Sequence, residues 1–267
     1  MFIDSHCHLD ASEFGDAAER IAEEARAAGV SWIVVPAVER ANFETVAYLS
    51  ASLPSCVHAL GIHPMYVPDA SEDDLALLRE RVQLALGEPR FVAIGEIGLD
   101  FFIPELTTAT LRAKQEFFYS EQLKIAREFD LPVILHVRRS QDTLLKYLRR
   151  IRVPGGIAHA FNGSQQQAQA FIDLGFVLGF GGAMTFTRAL QIRRLAASLP
   201  LSALALETDA PDISPAWLHP AKNSPSQIPR IAAVLAELRG QSLSEIAQQT
   251  TRNVARVLPR LGSLMMA

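Results

Sequence analysis

Residues 1–10 read MFIDSHCHLD. Phe2 and Ile3 open a strand-like run that then turns polar, with two histidines, two aspartates and a cysteine between Asp4 and Asp10. Alternate residues of an extended chain share a face, so His6 and His8 present both imidazoles on one side. Cys7 between them faces the other way, as a packing residue. Two imidazoles can hold an ion only with help from elsewhere in the chain. The fold therefore turns on whether more strands of this kind follow.

They do. Short apolar runs rich in β-branched and aromatic residues lie at 2–6, 31–36, 56–61, 91–96, 132–137, 155–160, 175–180 and 203–208. Amphipathic, helix-period segments lie between and after them at 16–28, 40–51, 72–86, 106–129, 141–150, 164–173, 187–198 and 226–239, and a ninth helical pattern, 242–256, closes the chain. Ser71 with Asp74 three residues on is a capping arrangement, Gly29 stands where the first helix must stop, and Pro132 opens a strand. No linker, composition shift or internal repeat divides the chain. The alternation predicts an α/β fold, a (β/α)8 TIM barrel forming a single domain over residues 1–267. A doubly wound open sheet is the alternative, and the lack of a GxGxxG loop tells against it.

At 267 residues, 49% hydrophobic and 20% charged, the chain has the composition of an ordinary globular protein. No apolar run reaches the roughly 18 residues of a membrane span. The start at MFIDSH carries neither a basic leader nor a signal-type segment, so the expected location is cytoplasmic, with no membrane and no obligate protein partner. Cys7 and Cys56 form neither a disulfide framework nor a CxxC pair. A net charge of −4 rules out a surface that attracts nucleic acid everywhere. A nucleic-acid substrate would need a local basic patch.

In a barrel, chemistry sits at the C-terminal ends of the strands. His6 and His8 end the first strand, and the third leads into His63. The fourth ends at Glu96, the fifth at His136, the sixth at His159, and the eighth at Glu207 and Asp209. Five of the seven histidines thus share one face, leaving His58 and His219. Taken alone, each reads as a satisfied core or surface group, as His58 does. Together, four imidazoles and two carboxylates exceed the needs of one tetrahedral ion. Two divalent ions about 3.5–4 Å apart, bridged by a carboxylate, would use them all. Glu96 is the natural bridge, with His6, His8 and Asp209 on one ion and His136 and His159 on the other. Four imidazoles favour Zn²⁺, Mn²⁺, Co²⁺ or Ni²⁺ over Mg²⁺.

The segments DSHCHLD (4–10), GIHP (61–64), GEIGLDF (95–101), PVILHVR (132–138), HAFNGS (159–164) and ETDAP (207–211) resemble, in order and spacing, the TatD family of metal-dependent hydrolases. The likeness runs from residue 2 to about 258, and the motifs together are highly specific. It implies an amidohydrolase-like barrel and a divalent-metal-dependent deoxyribonuclease, usually described with Mg²⁺. By position, the family's ligands fall on His6, His8, Glu96, His136, His159 and Asp209. In that pattern Glu96 is shared and Asp209 also handles the proton of the attacking water, so both are catalytic. The chain departs from the family at KNSP (222–225), where many members have arginine in place of Lys222, and in GLDFF (98–102), which lacks a tyrosine after the aspartate.

His63, Arg138 and Lys222 are the expected substrate contacts, pointing donors at a phosphate of DNA or another phosphodiester. A loop histidine bonded to nearby backbone is the plain alternative for His63, which stands too far along the chain to complete the metal set. The glycines of GFVLGFGGAMTF (175–186) read as rim turns, since no Lys-Ser/Thr of a P-loop follows. The aromatic stripe of FFYSEQLKIAREF (117–129) reads as core, and the tail RLGSLMMA (260–267) as a frayed or loosely packed terminus. Besides the deoxyribonuclease reading stand an ester or amide hydrolase, such as a D-aminoacyl-tRNA deacylase, and a non-catalytic metal or nucleic-acid binding protein. Glu96 sits where amide-cleaving relatives often carry a carboxylated lysine, and no ligand is lost. Both points favour the nuclease.

Overall fold

Val, Ile, Leu and Ala fill the strand runs and are buried on both faces, as a parallel sheet covered by helices requires. In the computed structural model, which describes residues 1–266, the strands are β1 (Phe2–Asp4), β2 (Val30–Pro36), β3 (Cys56–Leu60), β4 (Phe91–Asp100), β5 (Val133–Arg138), β6 (Gly156–Ala158), β7 (Phe176–Phe180) and β8 (Leu204–Leu206). They form one sheet in sequence order, every neighbouring pair parallel. Beyond the strand ends the first and last segments are sewn together. Ser5 N–H donates to Leu206 O (3.0 Å), Asp209 N–H to His6 O (2.9 Å) and His8 N–H to Ala210 O (2.8 Å). The buried Asp4 carboxylate accepts the Thr208 N–H at 2.9 Å and its hydroxyl as well. The result is a (β/α)8 barrel.

The intervening helices are α1 (Ala18–Ala27), α2 (Phe43–Ser52), α3 (Glu72–Ala85), α4 (Ala109–Glu128), α5 (Gln141–Arg150), α6 (Gln165–Asp173), α7 (Leu190–Ser198) and α8 (Ile228–Arg239). Asp74 accepts the Ser71 N–H at 2.8 Å, as the cap pattern indicates. Several helices begin two or three residues later than their periodicity suggests, because a 3₁₀ turn precedes them, as at Ser12–Ala17 and Arg40–Asn42. No helix among the described residues is long and apolar enough to cross a membrane.

Inside the barrel, Ile3, Val34, Ala59, Val92, Ile134, Ile157, Val177 and Ala205, one from each strand, form a single buried cluster. It continues into Val254 and Val257 of α9 (Leu243–Val257) and Leu261 of α10 (Pro259–Leu264). Asn253 Nδ2 donates to Leu204 O (2.8 Å), and the Arg260 guanidinium donates to Phe91 O, Leu86 O and Glu88 O. Leu204 and Phe91 begin β8 and β4, so α9 and α10 cover the N-terminal end of the barrel. This corrects the reading of the tail as frayed: Leu261 is fully buried. The barrel interior is apolar at that end and needs a cover, which α9 and the six-residue α10, too short for a periodic signature, provide together.

β4 runs four residues past its expected end at Glu96. Gly95 and Gly98 do not break it; they let β5 come close. A Cβ on Gly98 would stand 2.2 Å from His136 O, and one on Gly95 would stand 2.7 Å from the Ile134 Cβ. Gly179 likewise lies within β7 and not at a rim turn.

Candidate metal centre

His6 and His8 leave the end of β1 on the same side, while Cys7 is buried behind them with Sγ against Ala210 O. Nε2 of His6 and Nε2 of His8 are 3.2 Å apart. Glu96 Oε2 lies 3.1 Å from the first and 3.4 Å from the second, and Asp209 Oδ1 lies 3.6 and 3.5 Å from them. Four donor atoms around an ion at about 2.1 Å stand about 3.4 Å apart at the corners of a tetrahedron. The observed spacings scatter around that value. Asp209 holds this position with φ 56°, in the left-handed region that aspartate tolerates better than most residues.

The other Glu96 oxygen serves a second group. Oε1 lies 3.0 Å from His136 Nδ1 and 3.0 Å from His159 Nε2, and those two nitrogens are 3.5 Å apart. One carboxylate thus gives an oxygen to each cluster, and three overlapping trios converge closely enough to hold a divalent cation: His6, His8 and Asp209; His6, Glu96 and His159; and His63, Glu96 and His136. The donor chemistry fits such an ion, since imidazole nitrogens converge on carboxylate oxygens. That contact overrides burial and raises His8 to about 9 and His159 to about 10, a positive charge that a bound cation would replace. Burial, with the neighbouring His159, pushes His6 down to about 3, which keeps it in the neutral form a ligand needs. Burial alone would raise Glu96, but the surrounding imidazoles, His63 and His6 first, hold its carboxyl well below the usual range.

His63 reaches this centre although it lies on a loop after β3. Gln122 fixes the loop by accepting Ile62 N–H (2.7 Å) and donating to Ile62 O (3.0 Å), and His63 N–H donates to Val38 O (2.8 Å). His63 Nε2 is then 3.4 Å from Glu96 Oε1. Its chain position therefore does not exclude it from the centre, contrary to the sequence reading. Its Nδ1 accepts the Met65 N–H at 3.1 Å, so the proton resides on Nε2. In that tautomer His63 is a donor facing the centre, and it stands close enough to Glu96 and His136 to form a candidate ligand trio with them.

Asp100 joins this group of side chains, and the sequence reading missed it. His136 Nε2 donates to Asp100 Oδ2 (3.1 Å), which turns the Nδ1 lone pair toward the centre. Asp100 is itself fixed by the Phe102 and Ile103 N–H groups at 2.8 and 3.1 Å. The His136 bond and these amides outweigh burial and bring its carboxyl down to about 2. The available signal was alternation along β4, where Glu96, Gly98 and Asp100 share a face. Glu207 is the corresponding group behind His159: Oε1 accepts Ala160 N–H (2.5 Å) and stands 3.9 Å from His159 Nδ1. Burial raises it to about 7. Gly179 makes the space, since a Cβ there would fall 1.9 Å from Glu207 Oε2.

The remaining expected site residues lie around the mouth. Arg138 is exposed, with Nη1 3.8 Å from Asp100 Oδ2. Lys222 Nζ donates to Glu13 O (2.5 Å) beside a cavity, and not to any candidate ligand. His58 lies outside the centre, buried with Nδ1 2.7 Å from Ser50 Oγ.

A parallel barrel with clustered imidazoles and carboxylates at its C-terminal mouth defines the class, a metal-dependent hydrolase barrel. The family described as TatD related DNase matches residues 3–259, and the chain belongs to this family of metal-dependent hydrolases. It is 41% identical over 253 residues to the uncharacterized metal-dependent hydrolase YjjV of Escherichia coli K12, covering 94% of this chain and 95% of that one. It is 32% identical over 254 residues to the 3′-5′ ssDNA/RNA exonuclease TatD of Klebsiella pneumoniae, covering 92% and 94%. The crystal structure of the E. coli YjjV protein superposes with a TM-score of 0.91 over 97% of this chain and 98% of that one, at 40% identity.

Proposed function

We propose that the protein is a divalent-metal-dependent phosphodiesterase that hydrolyses DNA, with single-stranded ends as substrate. Two ions would be held by His6, His8 and Asp209 and by His136 and His159, with Glu96 shared. The observation that carries the nucleic-acid part is a basic and aromatic patch beside these groups. The Arg138 and Arg139 guanidiniums lie 4.1 and 4.6 Å from the Phe102 ring centroid, and Arg112 lies 4.4 Å from that of Phe101. Phe102 is 43% exposed. In a chain of net charge −4, three arginines interleaved with two phenylalanines at the mouth suit a strand that offers phosphates and bases together. The kinship to a protein named as a ssDNA/RNA exonuclease supports the same reading.

Bound divalent ions supply Lewis acidity at a phosphoryl oxygen and a water acidified toward neutral pH. The residues of the chain do the rest. Glu96 offsets the charge repulsion of the two clusters and fixes their spacing. Asp209 accepts the proton of the attacking water. His63 Nε2–H donates to a non-bridging phosphate oxygen, and Arg138 offers its charge to the next phosphate along the strand.

The test is a metal-by-substrate matrix on metal-stripped protein, with a short single-stranded DNA and an aminoacyl ester as substrates, repeated for Arg138→Ala. DNA should be cleaved, with binding that weakens as salt rises and a salt slope lower by about one in the variant. Metal content should not change. Faster, salt-insensitive cleavage of the ester, unaffected by the substitution, would overturn the nuclease assignment.

A further inference from the structure

A cavity of about 610 Å³ opens between the segment after β7 and the segment after β8, with Phe186, Arg188, Ile213, His219 and Lys222 in its wall. Its β8 side begins at Pro211, two residues beyond Asp209. In a ring of eight strands β8 stands opposite β4, so the metal centre separates this cavity from the Phe102 patch. We propose that the cavity is a nucleoside subsite, holding one base of the strand next to the cleaved phosphodiester. This inference rests on the nuclease reading and deepens it.

Three observations carry it. The first is the wall chemistry. Phe186 and Ile213 offer apolar faces, the His219 ring meets Phe186 edge-on at 5.7 Å, and Arg188 stands 5.5 Å from the Phe186 ring centroid. Such faces accept the π-surface of any base. The second is charge. Arg188 and Lys222 are matched by Glu13 and Asp212 in the same wall, so the formal charge cancels. A neutral base fits such a wall better than a phosphate does, and the two carboxylates can accept its N–H groups.

The third is that the wall is built under strain. Ile213 is held at φ 41°, a conformation that β-branched residues avoid, and it remains 37% exposed. Backbone contacts enforce it. Ile213 O accepts Asn223 Nδ2–H at 3.2 Å, and a Cβ on Gly182 would fall 1.9 Å from that oxygen. The Thr185 hydroxyl stitches the two segments, accepting Ala216 N–H at 2.8 Å. Burial does not reward this conformation, because the side chain faces the cavity. Strain kept without burial marks a position where a ligand is gripped.

The experiment uses short single-stranded DNAs carrying 2-aminopurine, or an abasic residue, at each position in turn. With metal-stripped protein, 2-aminopurine at one position should be quenched on binding. With reconstituted enzyme, an abasic residue at that same position should raise KM about tenfold, the loss of one stacking contact. In Ile213→Gly and Phe186→Ala the base-containing and abasic DNAs should differ by less than about twofold. Ile213→Gly should lose this discrimination without a fall in Tm, because glycine accepts a positive φ. Abasic sensitivity equal in parent and variants overturns the subsite, and so does a lower Tm with discrimination retained. If the parent cleaves no DNA the nuclease reading fails first, and the 2-aminopurine quench then tests the cavity by itself.

Discussion

Substituting Glu96 by glutamine tests the shared carboxylate most directly. Oε2 faces His6 and His8 at 3.1 and 3.4 Å, while Oε1 faces His136 and His159, each at 3.0 Å. Glutamine keeps one oxygen for one cluster and turns an NH₂ toward the imidazole lone pairs of the other. It also removes the negative charge common to both. If each cluster loses one charge-assisted contact of about 1.5–3 kcal/mol, the sum is about 3–6 kcal/mol. At about 1.4 kcal/mol per decade, activity should fall about 10²–10⁴-fold. His159→Ala touches one cluster and should cost about 10–10²-fold by the same reasoning. The assay is turnover of a single-stranded oligonucleotide, with ions per chain measured by mass spectrometry after reconstitution with Mn²⁺ or Zn²⁺ and desalting. Glu96→Gln should retain at most one ion. Two ions per chain with turnover within tenfold of the parent would refute the shared-carboxylate argument.

Asp100→Asn should lower metal affinity or kcat about 10–100-fold, because His136 loses the partner that sets its tautomer; equilibrium dialysis and kinetics at saturating metal check this. His58 sits at about 4, held down by burial and by repulsion from Arg260, against roughly 6.5 in an unfolded chain. Between those values the unfolded chain binds a proton that the folded one does not. This group's contribution is therefore complete above about pH 6.5 and is lost as pH falls toward about 4. Urea midpoints should show an extra loss of about 2 kcal/mol between pH 7 and pH 5 in the parent relative to His58→Gln, and equal slopes would dismiss it. Leu261→Ala should destabilise the fold by about 2–5 kcal/mol in urea titration; a change below about 0.5 kcal/mol would mean that α10 does not close the barrel.

Strand alternation made His6 and His8 legible, and the ends of apolar runs marked Glu96, His136, His159 and Asp209. A period-2 pattern that stops at a polar residue carries the position and the facing of the side chain together. Asp100 was hidden for a specific reason. The glycines of GEIGLD look like a break, whereas Gly95 and Gly98 are there because the backbone of β5 approaches. Gly179 is the same case, a space for the Glu207 carboxyl that no local pattern announces. His63 shows that distance along the chain is a poor guide in a ring, where every strand end faces one centre. Of the two closing helices, α9 was legible from its period, whereas α10 was not, because a six-residue segment has no period to display.

The seam between β1 and β8 also orders events in time. Asp4 and Thr208 are 204 residues apart in the chain. At about 5–20 residues per second, a ribosome makes Asp4, His6 and His8 some 10–40 s before their partners on the last strand exist. Through that interval β1 is an open edge, able to pair with another nascent chain. Asp4 stands at the end of that edge, and its carboxyl group is buried against Thr208 in the finished protein. A stray strand without such a hydroxyl and amide would have to bury that acid unpaired, at a cost of several kcal/mol. The residue that closes the ring thus also guards its first strand until the proper neighbour arrives.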